Sequence, residues 1–538
     1  MQPTLKRCVE DWNALPWKKF QKDVFRLQHR IYKARQAENY KLVSKLQRLL
    51  FQSRAVRFLA IRQITQLNRG KVTAGVDGIA RLNVRERLRI FEDLNDLKNY
   101  KHQPLKRIYI PKPNGEKRPL GIPTIKDRIV QCMLKYTLEP VYEAYASKGS
   151  WGFRPGRSTH DVLMQIFVNL KKSDINYEKR ILELDIEKCF DKINHDRLME
   201  EIYLPTYMNR IIRSALKAGV LKEREATHEG TPQGGVISPL LCNIILHGIE
   251  DLWNQPYKYF CKDRSVIRSK KSEIAQRGIR YADDIVFFLQ EGEQADQLRK
   301  KIDDFLIERG LKVKEAKTHL VKSTKGFDFL GWRFEVKPNH SLTCRPSKKN
   351  RIQMIKKIKT KMKDCRLDLK KRLEKVKVIY RGWRNYHQYC DLSTVNLWSI
   401  NEWVYKFVKK ANNKLKRKKR TEAKVVRIEK IQDIFNNHKF ALFKHVAVKS
   451  DKSPFDNDWI YWSNRKNKQY DRLKAKMLKR QKFRCGECNL KFASDDQIDL
   501  HHIDGSHENN SYRNLIVLHR SCHQHQPIHG LKRSKVRT

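Results

Sequence analysis

The sequence predicts an α+β protein with several domains, and three observations support this. The chain has 538 residues, and at roughly 150 residues per domain we expect three or four domains. Hydrophobic residues make up 40% of the chain, which is enough to bury cores. Short β-like runs alternate with longer helical stretches, which is typical of a mixed helix and sheet domain. These runs cover residues 107–110, 180–186, 279–289 and 327–334.

The chain is strongly basic. Its 115 Lys and Arg residues outnumber 59 Asp and Glu residues, giving a formal net charge of +56. A globular protein with this charge repels itself unless a polyanion binds it, so nucleic acid is the expected partner and an anionic membrane surface is the alternative. No run approaches the ~20 apolar residues of a spanning helix, and residues 1–10 lack the apolar core of a secretory signal. We expect a protein outside the membrane, cytoplasmic and nucleoid-associated in a bacterium or organellar, and not secreted.

Changes in composition along the chain predict four domains. Residues 1–70 form a basic helical extension, since apolar residues recur there at steps of three and four. Residues 71–340 form the mixed domain. Residues 341–449 form a helical, nucleic-acid-binding domain, because residues 345–449 hold 32 Lys and Arg against 8 Asp and Glu, a net of +24. Residues 450–538 contain a linker, near 449–458, and a small terminal module.

Two adjacent carboxylates point to a metal site. Asp283 and Asp284 lie directly before the apolar run 285–289, where mutual repulsion raises the pKa of at least one of them. A divalent cation would remove that cost. Adjacent aspartates also occur at 303–304 and 495–496, but in polar surroundings that favour solvent exposure.

A third carboxylate, Asp185, ends an alternating apolar stretch that is typical of a strand. Nucleotidyl transfer needs one cation to activate the attacking 3′ oxygen and another to steady the pyrophosphate, about 3.5–4 Å apart. Asp185 and Asp283 would bridge two Mg²⁺ ions, with Asp284 as a secondary ligand.

In sequence blocks around these aspartates, the chain resembles the reverse transcriptases encoded by group II introns. The matching blocks are residues 73–78, 110–115 with 118–123, 151–158, 230–235 with 238–241, 310–311 with 317–318, and 327–331. The resemblance implies a right-hand polymerase fold with fingers, palm and helical thumb. It also implies RNA-directed DNA synthesis with two Mg²⁺ ions and deoxynucleoside triphosphates.

The resemblance further implies four residues that contact the incoming nucleotide. Lys112 and Arg118 would hold the triphosphate. Lys112 would act as a point charge, and the guanidinium of Arg118 would donate two parallel hydrogen bonds. Phe190 would lie under the sugar and clash with a 2′ hydroxyl, although it could also be a core aromatic. Gln233 would contact the nucleotide or the template.

The basic helical domain resembles the thumb and maturase region of the same family over residues 381–389. Aromatic residues interleaved with arginine suit RNA, where bases stack on both. Trp383, Tyr386 and Tyr389 could equally pack inside the domain. A protein that only binds its intron RNA to assist splicing is therefore a second hypothesis. Such a protein could lose its carboxylates, whereas this chain keeps all three.

The terminal module contains two pairs of candidate metal ligands. Cys485 and Cys488 form the first pair, and His519 and Cys522 form the second. Four nitrogen and sulfur ligands suit a structural zinc ion in tetrahedral geometry. His525 is an alternative fourth ligand, and family spacing favours His519.

Residues 501–503 and 514–515 lie between these pairs, and residues 522–523 lie at the end of the second pair. These blocks are similar to the HNH endonucleases, which implies a ββα module that presents one divalent cation to a scissile phosphate. His502 would be the general base, His501 and His523 would bind the cation, and Asn514 would orient the hairpin and His502. Many family members have Asp at the position of His501. The alternative is a zinc-bound DNA-binding knuckle without cleavage.

Together these features predict a multifunctional retroelement protein. It would help its group II intron RNA to splice and remain bound as a ribonucleoprotein. It would then nick target DNA and extend the released 3′ end by copying the RNA. The alternatives are the binding-only splicing cofactor and a reverse transcriptase outside intron mobility.

Overall fold

The computed structural model shows a mixed helical and antiparallel β-sheet protein, which confirms the α+β prediction. It describes residues 12, 14–111, 115–170, 178–219, 229–231, 234–254, 258–260, 266–268, 276–392, 398–417, 445–458, 460–462, 465, 472–492, 496, 498–506 and 509–524.

The N-terminal region is a helical layer. It contains α1 (Trp17–Gln36), α2 (Tyr40–Gln52), α3 (Arg54–Arg62), a π-helical turn at Gln63–Leu67, and α4 (Val84–Asp93). The helices over residues 17–60 confirm the periodicity argument. Asn39 and Ser53 cap α2 and α3 by accepting backbone hydrogen bonds, which satisfies donors that a helix start leaves unpaired.

The next elements in the chain are a β-hairpin and a buried helix. The hairpin comprises β1 (Lys106–Pro111) and β2 (Lys117–Ile122), with the backbone of Ile110 opposite Arg118. After it comes α5 (Ile125–Tyr145), which is buried on nearly all sides and packs against α1, α2 and α3. α6 (Thr159–Leu170) then leads to the central sheet.

The central sheet has four antiparallel strands, which are β3 (Arg180–Asp185), β6 (Gly278–Tyr281), β7 (Asp284–Leu289) and β8 (His319–Lys322). Their spatial order is β6-β7-β3-β8. The helices that follow or separate these strands in the chain are α7 (Cys189–Lys192), α8 (His195–Glu201), α9 (Thr206–Leu216), α10 (Ser238–Ile245) and α11 (Ala295–Ile307). A separate pair is formed by β4 (Lys258–Phe260) and β5 (Val266–Arg268). The run 279–289 is thus two strands, because Ala282 turns the chain with a φ of +62°.

A second sheet connects the central sheet to the basic helices. Its strands are β9 (Phe327–Phe329), β10 (Trp332–Val336) and β11 (Leu342–Pro346), and the helices are α12 (Lys348–Met362), α13 (Leu369–Tyr386) and α14 (Trp398–Arg417). The run 327–334 is also divided, because Leu330 and Gly331 adopt φ values of +48° and +86°.

The segment expected to be a linker is packed against the rest of the chain. Within residues 449–458, Lys452 O accepts from Arg157 Nη2 at 3.2 Å and Phe455 O lies 2.7 Å from His29 Nδ1. On either side of this segment, Asp161 on α6 accepts hydrogen bonds from His445 Nε2 and Val448 N and pairs with Arg465. Phe455 and Trp462 are buried. A linker is favoured by the local charge and proline content, but these distant partners are not visible in the local sequence.

The terminal module contains α15 (Arg472–Arg480), β12 (Ile498–His502), β13 (Leu515–His519) and α16 (Arg520–Gln524), and it has its own small core. It is also anchored to the N-terminal helices. The Gln21 side chain donates to Lys491 O and accepts from Lys491 N, both at 2.9 Å. Leu490 is buried within the main core.

Across the described ranges, every helix is too short or too polar to cross a bilayer.

Asp161→Asn is expected to lower the unfolding free energy by about 3 kcal/mol, because it leaves Arg465 buried beside an uncharged partner. Thermal unfolding and proteolysis within residues 445–465 measure this. Asp23→Asn, at the exposed pair with Arg26, is the control and should change stability by less than about 0.5 kcal/mol. Equal effects of the two substitutions would contradict the buried role.

Candidate active site

Three carboxylates converge at one end of the central sheet. Asp185 is the last residue of β3 and lies opposite Asp284, the first residue of β7. Asp283 occupies the two-residue turn between β6 and β7, beside Ala282. Paired residues of antiparallel strands lie about 4.5–5.5 Å apart at Cα, so the register alone brings Asp185 and Asp284 together.

The buried side chain of Arg280 supports the turn that carries Asp283. Arg280 is fully buried and pairs with the buried Glu250 at 3.1 Å. Its guanidinium also donates to Asn243 Oδ1 at 2.9 Å, Ser150 Oγ at 2.8 Å and Ala282 O at 3.3 Å. These bonds satisfy the charge and fix the backbone next to Asp283.

Close backbone approach adds to this support. A Cβ atom on Gly152 would lie 2.3 Å from Ala282 N, so only glycine fits beside the turn. The Gly152 carbonyl accepts from Asn243 Nδ2 at 2.8 Å. Position 152 of the 151–158 block therefore requires glycine.

Asp283 and Asp284 resist ionisation. Desolvation raises the pKa of Asp283, and the charge of Asp185 raises it further. The pKa of Asp284 rises to about 6, through desolvation and then the charges of Asp283 and Asp185. Asp284 is exposed by surface area, but the protein atoms crowded around it restrict its hydration. Lys317 forms an ion pair with Asp185. Its ammonium group therefore neutralises a carboxylate that a metal cation would also neutralise.

The donor set fits the cation that the fold implies. Hard carboxylate oxygens are the ligands that Mg²⁺ prefers, and a bound cation would favour the charged forms that the bare site disfavours. Asp185, Asp283 and Asp284 could therefore hold divalent ions.

Two of the four expected nucleotide-binding residues lie within the described residues. Arg118 is exposed on β2, and its positive charge lowers the pKa of Asp283. Phe190 is half-buried at the start of α7 and meets Phe153 edge-on, with ring centroids 6.3 Å apart. Lys112 and Gln233 lie outside the described residues.

The aromatic residues of the basic helical domain face inward. Tyr386 stacks on Trp332 with centroids 4.6 Å apart, and Trp383 donates to Asn350. Tyr389 contacts the His160 ring edge-on at 4.8 Å. Of the two interpretations left open by the sequence, the structure favours core packing for these rings.

Sequence reasoning assigned no role to Arg280, Glu250, Asn243 or Lys317. One signal was available, since Arg280 interrupts an apolar strand directly before the aspartates. A charged residue inside such a run is buried only with a partner. The partners come from distant segments and could not be identified.

The predicted ligands Cys485, Cys488, His519 and Cys522 form one cluster, with all ligand atoms within 4.8 Å of one another. His519 Nδ1 faces Cys488 Sγ at 3.3 Å, and its Nε2 donates to Asp496 at 3.2 Å. A carboxylate behind a ligating imidazole is the usual arrangement at zinc sites. The alternative ligand, at position 525, lies outside the described residues.

The candidate nuclease residues lie in the β12–β13 hairpin and in α16 of the same module. His501 on β12 and His523 on α16 have ring centroids 4.9 Å apart. His523 Nδ1 lies 3.4 Å from Asp499. His502 Nε2 lies 3.2 Å from Asn510 Oδ1.

The structure gives Asn514 a defined role in the adjoining turn. Its side chain bonds Asp504 and the backbone carbonyl of Asn509. It therefore orders the loop between the two strands. Within the described part of the module, Asn510 rather than Asn514 is the amide that meets His502.

Comparison with known proteins identifies two matching families. Residues 110–334 match the family described as reverse transcriptase (RNA-dependent DNA polymerase), and residues 12–94 match the N-terminal domain of reverse transcriptase. Neither match extends to the terminal module.

Individual relatives agree with these families. Maturase-like protein 1 of Euglena gracilis is 31% identical over 386 residues, covering 71% of this chain and 78% of that protein. Protein YkfC of Escherichia coli K12 is 32% identical, covering 54% of this chain and 83% of that protein. The group II intron-encoded protein LtrA of Lactococcus lactis subsp. cremoris is 39% identical, covering 34% of this chain and 31% of that protein.

Asp284→Asn is expected to stabilise the metal-free protein in a pH-dependent way. A folded-state pKa of about 6, against ~3.9 when unfolded, means that ionisation of Asp284 costs stability. The cost is complete above about pH 6 and vanishes below about pH 4. In EDTA at pH 7.5, the gain should be on the order of 1 kcal/mol after allowance for solvent screening.

Thermal unfolding at pH 7.5 and pH 4 measures this effect, with the exposed Asp304→Asn as control. Mg²⁺ should stabilise the wild-type protein more than the Asp284 variant, since the variant lacks one carboxylate. A gain that is equal at both pH values would show that ionisation of Asp284 is not its cause.

Proposed function

Because the chain belongs to the reverse transcriptases and maturases of the group II intron type, we propose that it copies RNA into DNA at Asp185, Asp283 and Asp284. The observation that carries this proposal is the convergence of these three carboxylates at paired strand ends. Burial and neighbouring carboxylates raise the pKa of Asp283 and Asp284, and a bound cation would offset that cost by favouring the ionised forms.

Two Mg²⁺ ions would supply the activation of the 3′ oxygen and the stabilisation of the leaving pyrophosphate. The residues of the chain do the positioning. Asp185 and Asp284 present their carboxylates from neighbouring strands whose register is fixed by the sheet. Asp283 is held by the turn above Arg280.

The nucleotide would enter between β2 and the carboxylates. Arg118 is exposed there, and its positive charge lowers the pKa of Asp283, so its guanidinium could bind the triphosphate. We propose Lys112 as a second phosphate ligand, and Gln233 as a contact to the nucleotide or template, on sequence grounds. Phe190 would lie under the sugar and select against a 2′ hydroxyl.

We propose that the basic domain binds the group II intron RNA and assists its splicing. Its rings at Trp383, Tyr386 and Tyr389 contact other protein groups, so the support for RNA binding is the net charge of +24 over residues 345–449. Such charges give binding that weakens steeply with salt. We propose that the chain is organised as the four domains that its composition predicts, with boundaries at residues 70, 340 and 449.

The terminal module would nick target DNA so that the released 3′ end primes copying of the intron RNA. The zinc ion would be held by Cys485, Cys488, His519 and Cys522 and would order the module. The pairing of His501 with His523 supports a divalent-ion site between them. His502 would be the general base, since imidazole titrates near neutrality.

The binding-only splicing cofactor remains the second candidate, and the inward packing of Trp383 and Tyr386 does not distinguish it. Retention of all three carboxylates in one site favours the polymerase.

Asp283→Ala is expected to reduce cDNA synthesis on a primed RNA template by at least about 1,000-fold, because metal-dependent charge stabilisation is lost. RNA affinity should stay within about twofold, since the substitution is far smaller than the basic surface that binds RNA. Asp304→Ala is the matched control, because Asp303 and Asp304 are also neighbouring aspartates but lie in helix α11. Synthesis that survives in the Asp283 variant would refute the assignment.

His502→Ala is expected to abolish nicking of target DNA while cDNA synthesis continues, because general-base catalysis is lost only at that site. The two activities can be measured on one preparation, by strand cleavage and by primer extension. Asp283→Ala serves as the reciprocal control, with nicking retained. Nicking that persists without His502 would place the base elsewhere.

A further inference from the structure

Residues 484–491, which we call the cysteine hairpin, carry the first pair of predicted metal ligands. The ends of this segment meet in an antiparallel bridge between Arg484 and Lys491. Inside it, Cys485 N donates a hydrogen bond to Leu490 O at 2.9 Å. The backbone therefore forms a closed loop, so the residues at its tip and the residues at its end keep a fixed relation to each other.

The cysteine hairpin contributes to two hydrophobic cores at once. Cys485 is buried in the core of the terminal module, whereas Leu490 is buried in the main core of the protein. Cys488 packs against both cores. At the end of the hairpin, the Gln21 side chain on α1 forms two hydrogen bonds with the backbone of Lys491, each 2.9 Å long. A predicted metal ligand and its neighbours therefore form part of the contact between the module and the rest of the protein.

The second pair of predicted ligands lies at another contact with the N-terminal region. His519 is the last residue of β13, and Cys522 lies on α16. This helix lies against the π-helical turn Gln63–Leu67. It also carries His523, one of the candidate nuclease residues. The ligand cluster therefore connects two surfaces by which the terminal module meets the N-terminal region.

A metal ion bound by the cluster would hold these two surfaces together. All four ligand atoms lie within 4.8 Å of one another, which is close enough for one ion in tetrahedral geometry. The core of the module is small, and in small modules the free energy of metal binding becomes free energy of folding. Both contacts with the N-terminal region require the cysteine hairpin and α16 to stay in one relative position, which is what a shared ion would provide.

We propose that the cysteine hairpin and α16 form a docking surface for the N-terminal helices, and that Zn²⁺ bound by Cys485, Cys488, His519 and Cys522 keeps this surface assembled. Loss of the ion then releases the module from the N-terminal helices as well as loosening it internally. The placement of the candidate nuclease relative to the candidate polymerase site depends on the metal. This inference rests on the proposed zinc assignment and is independent of both proposed activities.

Gln21→Ala tests the docking surface without changing a metal ligand. It removes two neutral hydrogen bonds, so the undocked population should rise by roughly 30-fold. Proteolytic release of the terminal module from the full-length, Zn²⁺-loaded protein should accelerate by the same factor, where cleavage follows that population. The amount of bound Zn²⁺, measured by metal analysis, should not change.

Gln36→Ala is the matched control for this variant. Gln36 lies on the same helix, but its side chain bonds to Tyr32 and Lys33 within that helix. Release of the module should therefore stay within about twofold of the wild-type rate.

Removal of Zn²⁺ by a chelator tests the metal dependence in the wild-type chain. Hydrogen exchange of the backbone amides in the turn Gln63–Leu67 should accelerate by at least about tenfold, because the contact with α16 is lost. Added Zn²⁺ should restore the slow exchange. Helix α2 packs against α1, α3 and α5, so its amides should keep their exchange rates and serve as the control. These amides lie far from the ligands in the sequence, which separates undocking from local unfolding of the module.

The outcomes separate this inference from the zinc assignment on which it rests. If chelation accelerates exchange within residues 485–522 but not within the turn 63–67, the metal orders the module without docking it, and only the inference is wrong. Equal release rates for Gln21→Ala and Gln36→Ala would also overturn the docking surface. If the wild-type protein binds no Zn²⁺, the zinc assignment and the inference both fail, while the tests at Asp283 and His502 are unaffected.

Discussion

The ion pair between Arg280 and Glu250 is the interaction on which the candidate active site depends. Both side chains are completely buried, and taking two charges out of water is unfavourable unless their attraction and further hydrogen bonds compensate. Asn243, Ser150 and the Ala282 carbonyl supply those partners for the guanidinium. The pair therefore ties three separate segments to one turn, and that turn carries Asp283.

The sequence predicted the elements better than their connections. Alternating apolar residues located β3 and the β6–β7 hairpin, and the spacing of Cys485, Cys488, His519 and Cys522 predicted a cluster that the fold assembles. These are local signals, set by periodicity and by ligand chemistry. The pairing of Lys317 with Asp185 joins residues far apart in the chain, and local sequence holds no record of such a partner.

The basic domain shows the same limit of local sequence. A run of aromatic and arginine residues is compatible with RNA stacking or with a core, because both need large flat side chains. The choice depends on what lies opposite, and in this fold Trp332 and Asn350 lie opposite Tyr386 and Trp383. Residues 449–458 likewise show a linker composition, yet Arg157 donates to Lys452 O and His29 lies within hydrogen-bond distance of Phe455 O.

The reciprocal hydrogen bonds between Gln21 and Lys491, with Leu490 buried in the main core, make the terminal module a fixed part of the body rather than a tethered appendage. Under the proposed function, a DNA end produced by the terminal module would start at a separation from Asp185, Asp283 and Asp284 that the protein sets. Its transfer would then resemble an intramolecular step, governed by an effective concentration that the protein geometry sets. Competing DNA ends in bulk solution would not share that advantage.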